Sequence, residues 1–137
     1  MKERKCKDMP NELWPPKGSI EEEKIVYRLL RKEACISSDD FISVYEIDKK
    51  RNRIKEENIN DDSYYGISLF EDIEDALSLQ RKSSWKFKDI AKGVTKAKEG
   101  CIRMEPSRAS KSHLEWWLYE NATPENHFVI IRGHDDE

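Results

Sequence analysis

An α+β domain, with a small mixed or largely antiparallel sheet carrying two or three helices, is the fold class this sequence predicts. Three observations lead there. Short apolar or aromatic runs such as "SYYGISLF" and "HFVIIRG" have the length and composition of strands. "SSDDFISVYEI" and "EDIEDALSLQRK" repeat apolar residues at helical spacing behind a capping side chain. The two kinds of run are interspersed without the regular alternation that a doubly wound parallel sheet imposes.

A length of 137 residues suits one domain, and no internal repeat or second boundary is visible. Charged residues make up 39% against 36% hydrophobic, so a thin core lies under a heavily solvated surface. No apolar run approaches the ~20 residues that span a bilayer, and "MKERKCKDMP" has no apolar stretch of a signal peptide. Cys6, Cys35 and Cys101 are odd in number and in no metal-ligand pattern, which predicts a cytoplasmic chain with reduced thiols. Cys35 and Cys101 are expected in the core.

Residues 1–18 read as an arm stiffened at Pro15 and Pro16, with Trp14 placed to pin it, ahead of a domain over 19–133. "SIEE" from Ser19 is a capping-box pattern and predicts a short helical turn before a strand over 24–31. Ser37 or Ser38 caps a helix over 39–47, and residues 48–63, dense in mixed charge, form a mobile loop or a solvated helix end. A strand over 64–70 leads into the helix of "EDIEDALSLQRK", whose acidic start and basic end suit the macrodipole. Residues 89–98 fit either a strand or a helix. A hairpin turning at Glu99–Gly100 is one reading, with a strand over 101–105. Ser112-His113-Leu114-Glu115 is a second capping box, predicting a helix from Ser112, although Leu114, Trp116 and Leu118 also alternate as in a strand. The final strand covers 127–133, followed by an acidic tail, 134–137.

Charge is distributed unevenly. Residues 81–111 hold ten Lys/Arg and three acids, a local charge of +7 inside a chain of net −3. "RKSSWKFK" interleaves Trp85 and Phe87 with cations, the mixture that tracks phosphates and stacks bases. A helix starting at Ser112 would add free N–H groups that favour anions. Arg103, Arg108, Lys111, Ser110, Ser112, His113, Trp85 and Trp117 are therefore the expected binding residues for a phosphorylated ligand, nucleotide or nucleic acid. No metal and no cofactor is expected, since His113, His127 and His134 lack ligand spacing and no P-loop or dinucleotide fingerprint occurs. A protein-interaction module is the alternative expectation, such as an antitoxin, an immunity protein or an assembly subunit, because surplus Trp and Arg suit interfaces.

An enzyme is the third expectation. Glu46, Tyr65, Ser68, Arg28 and His113 are placed to converge in a cleft between sheet and helices. Arg28 on an early strand and "YGIS", Tyr65–Ser68, on a later one resemble ADP-ribosyltransferase-like domains. The resemblance implies a split sheet, an NAD site and an activity on NAD. The late glutamate motif of that family is not identifiable in the sequence.

Overall fold

A computed structural model of the chain describes residues 2–32 and 34–131. The expected acidic tail 134–137, His134 and the end of the expected strand 127–133 lie outside the described residues.

Six strands form one sheet: β1 (Ile25–Leu30), β2 (Ile67–Phe70), β3 (Asp89–Val94), β4 (Gly100–Met104), β5 (His113–Leu118) and β6 (Val129–Ile131). Their order is β4-β5-β2-β1-β3-β6, and every neighbouring pair is antiparallel. Two helices accompany them, α1 (Val44–Lys50) and α2 (Ile73–Lys82). The α+β class stands, with a sheet larger than expected. No helix among the described residues is long and apolar enough to cross a membrane.

Strand alternation sorts the side chains onto two faces. One carries Val26, Leu30, Leu69, Leu114 and Trp116, closed over by Phe41 and Phe128 from the flanking coil. Gly93 lets the Phe128 ring approach, since a Cβ there would meet it. The opposite face is covered in two separate patches. Helix α2 packs through Ala76 near Leu29, Phe70 and Ile90. At the other end, Trp117 and Cys101 lie under Tyr45, Tyr64, Tyr65 and Met9.

Several local expectations yield to tertiary packing. The segment from Ser112 is a strand, not a helix, because β5 lies between β4 and β2 and buries both its faces. Trp116 and Trp117 are both buried, so Trp117 has no surface to offer a ligand. The helix expected over 39–47 divides. A 3-10 turn, Ser38–Asp40, is followed by buried Phe41, and α1 begins only after Ser43, whose side chain accepts from the Glu46 amide. Ser19 caps nothing; its hydroxyl donates to the Pro16 carbonyl, and Ile20 pairs with Ile102. β3 and β4 are not a hairpin, since they stand on opposite sides of the β2–β1 pair. The expected strand 64–70 begins at Ile67, after a 3-10 turn, Asp62–Tyr65. Cys35 is exposed rather than core, following Ala34 in a left-handed backbone conformation at φ 52°.

β1 and β2 are joined by one register pair, Tyr27↔Phe70, whereas β1 pairs with β3 along its whole length. The Arg28 side chain fills the divergence. It donates to the carbonyls of Ser68 (3.0 Å), Asp40 (2.9 Å) and Ile42 (3.4 Å), so it supplies bonds a neighbouring strand would have made.

Candidate ligand cavity

Between the two covered patches the sheet is left open, and a cavity of about 430 Å³ occupies the gap. That is within the usual size range of small-molecule sites. Ser68, Phe70 and His113 form its sheet side, α2 contributes Leu79 and Lys82, and α1 contributes Val44 and Ile47. Arg28, Arg31 and Lys86 supply further positive charge, and Phe87 and Ile42 further apolar wall. A smaller adjoining cavity of about 180 Å³ shares Arg28 and Arg31 and adds Arg51.

A polar cluster underlies this surface. The Ser68 hydroxyl donates to Glu115 Oε2 (3.0 Å) and lies 3.1 Å from His113 Nε2, which is 2.9 Å from the same carboxylate oxygen. His113 Nδ1 faces the Glu105 carbonyl at 2.8 Å. Both ring nitrogens thus meet acceptors, the arrangement an imidazolium satisfies. Burial lowers the His113 pKa, but the Glu115 carboxylate and the Glu105 carbonyl outweigh it, and the net shift is upward. Burial also holds the Arg28 guanidinium down, to about 10, while Glu115 pulls the other way. It therefore stays charged at neutral pH. Gly66 adjoins the cluster because a Cβ there would lie 2.5 Å from Glu115 Oε1.

The cations beside the cavity crowd one another. Burial, then repulsion from Arg31 and Arg51, depresses the Lys86 pKa; burial, then Arg51, depresses that of Arg31. Arg31 and Lys86 both lie over the Phe87 ring, at 5.5 and 5.1 Å. Among the described residues, no carboxylate lies within ion-pair distance of Arg28, Arg31, Arg51, Lys82 or Lys86. Asp75 does line the cavity, and the Ser112 hydroxyl (2.6 Å) and amide (3.1 Å) donate to it and keep it anionic.

Of the residues anticipated from sequence, Arg28, Ser68, His113 and Ser110 come together here. Arg103 does not. Asp62 takes two of its bonds (2.7 and 2.9 Å), Glu105 another (2.9 Å), and its guanidinium lies over Trp117. Arg108 and Lys111 face a shallow surface shared with Glu71, Asp72 and Asp75, which opposes an anion. The ten cations of 81–111 are dispersed, with Lys92 on β3 and Arg103 on β4. Ser112 is no helix N-terminus, so the anion site expected there is absent. Glu46 caps α1 and Tyr65 donates to the Ile59 carbonyl, both away from the cavity.

Family models, curated proteins and solved structures give no match to this chain. Sequence reading missed Glu115, Arg31 and Arg51. Glu115 stands two after His113, and strand alternation puts both on one face, but the helix read from Ser112 hid that pairing.

Proposed function

We propose that this chain binds a phosphorylated ligand of nucleotide size in the cavity between α1, α2 and the sheet. The observation that carries the reading is the grouping of Arg28, Arg31, Lys82 and Lys86 around apolar walls, with no carboxylate in ion-pair contact among the described residues. An anion relieves like-charge crowding of this kind, and the walls from Phe70, Leu79 and Phe87 suit a base or another planar group. Calorimetric titration with AMP, and with adenosine as the uncharged control, tests it. AMP binds and adenosine binds at least tenfold more weakly, and Arg31→Glu with Lys86→Glu lowers AMP affinity by about tenfold or more, the effect of one lost charge-assisted contact. Equal binding of AMP and adenosine, or an unchanged double variant, overturns it.

One observation favours a narrower second reading, an ADP-ribosyltransferase-like enzyme acting on NAD. In this reading Glu115 of β5, which accepts from Ser68 of β2 and acts on the charge of Arg28 on β1, takes the part of the late glutamate that the resemblance calls for. Departure of nicotinamide leaves positive charge on the ribose, and a nearby carboxylate stabilises such a centre. Incubation with NAD, with nicotinamide release followed by chromatography, should show turnover that Glu115→Gln abolishes. Absence of turnover by the unmodified chain removes this reading and leaves the binding reading in place.

A further inference from the structure

We infer that the phosphorylated ligand is the unpaired end of a nucleic-acid strand, its terminal phosphate taken into the cavity and a neighbouring base stacked on Trp85. This rests on the cavity reading above and names its substrate class.

Trp85 is 77% exposed, whereas Trp116 and Trp117 are 0% and 2% exposed. A large aromatic left in water at a fixed place is informative where isolated small apolar residues are not. Its place is fixed by a tight turn after α2, in which the amides of Lys86 and Phe87 both donate to the Ser83 carbonyl at 2.9 Å. Residues on both sides of that turn, Lys82 before it and Lys86 and Phe87 after it, line the cavity. The backbone of Trp85 is therefore held beside the cationic wall, and its indole takes no part in the core.

A cavity of about 430 Å³ has room for roughly one nucleotide, the lower part of the range for small-molecule sites. A free mononucleotide would leave Trp85 unused. A strand that continues past its terminal nucleotide brings a second base and further phosphates to the outer surface. There Trp85 offers a stacking platform, and Arg81, Lys82 and Lys88 are exposed cations. Alternation of cations with an aromatic is the recurrent solution for single strands, because each base has a face to stack and each linkage has a charge. A duplex end would keep that second base paired and unavailable.

The test compares AMP with a six-nucleotide adenylate oligomer carrying a 5′-phosphate, a 3′-phosphate or none, each made as RNA and as DNA. Binding is read by calorimetric titration, which needs no tryptophan signal. At least one phosphorylated oligomer is expected to bind about tenfold or more tightly than AMP, with a steeper salt dependence. Trp85→Ala removes that advantage and leaves AMP affinity unchanged; as an exposed side chain, Trp85 is not needed for folding. The arms identify which end and which sugar are preferred. Equal affinity for AMP and the oligomers, a neutral Trp85→Ala, or equally tight binding of unphosphorylated oligomer or polyglutamate overturns this inference while AMP binding keeps the cavity reading. Failure of AMP and all oligomers to bind overturns both.

Discussion

At the scale of single residues, Glu115 decides the chemistry of the cavity floor. It accepts from Ser68, faces His113 Nε2 and balances the Arg28 guanidinium, all from a position only 5% exposed. A raised histidine pKa has a defined consequence for stability. The folded protein holds the His113 proton more tightly than the unfolded chain, whose value is about 6.5. The resulting stabilisation is complete below that pH and is lost as pH rises through the higher folded value. Glu115→Gln keeps the volume and removes the charge. Titration of the His113 ring by NMR should then give a pKa below that of the unmodified protein, and the decline of stability above pH 6.5 should flatten. An unchanged titration would show that Glu115 does not hold the proton. Arg28, Ser68 and His113 were legible in the sequence as convergent residues. Glu115 was not, because S-x-x-E describes a cap on a helix and says nothing of the same four residues in a strand.

Three of the four S-x-x-E stretches, at Ser19, Ser43 and Ser112, show the same limit at the scale of elements. Ser43 alone of these caps a helix, with Glu46 returning the bond to its amide at 2.9 Å. A cap decides a helix only if the residues behind it have one face to bury. After Ser112 come residues that must bury two, and period 2 overrides the local signal. Ser112 serves a different helix. Its hydroxyl accepts from the Asp72 amide (3.1 Å) and donates to Asp75 (2.6 Å), both at the start of α2. Ser112→Ala should therefore cost about 1 kcal/mol, the usual size of a lost cap, although the residue stands forty positions from the helix it serves. Urea denaturation measures it, and a change below a few tenths of a kcal/mol would refute the cross-element role. The α2 helix itself was readable, from Asp72 to Lys82, since capping, charge polarity and its buried face agree.

For the whole molecule, residues 2–16 are structural. The Lys5 amide donates to the Leu118 carbonyl (2.8 Å), the Glu120 amide to the Glu3 carbonyl (2.9 Å), and the Trp14 ring meets Tyr119 edge-on at 6.1 Å. Met9 is 1% exposed, beneath the tyrosines that cover Trp117. Met9→Ala should cost about 2–5 kcal/mol as a core truncation, and thermal unfolding followed by circular dichroism would show it; a loss under 1 kcal/mol would return the segment to the status of a loose arm. The few apolar residues among these charges follow no helical or strand period, so nothing in "MKERKCKDMP" announces that burial. Long-range order also scattered the basic segment, because β3 and β4, adjacent in sequence, were sent to different halves of the sheet. Those halves, β4-β5-β2 and β1-β3-β6, meet where a side chain stands in for a ladder. One strand pair, Tyr27 with Phe70, and the Arg28 guanidinium bridge that joint, and cargo lodged against Arg28 would bear directly on it. Loading would then tighten the seam, and slower deuterium uptake at the Leu29 and Phe70 amides would report the occupied state.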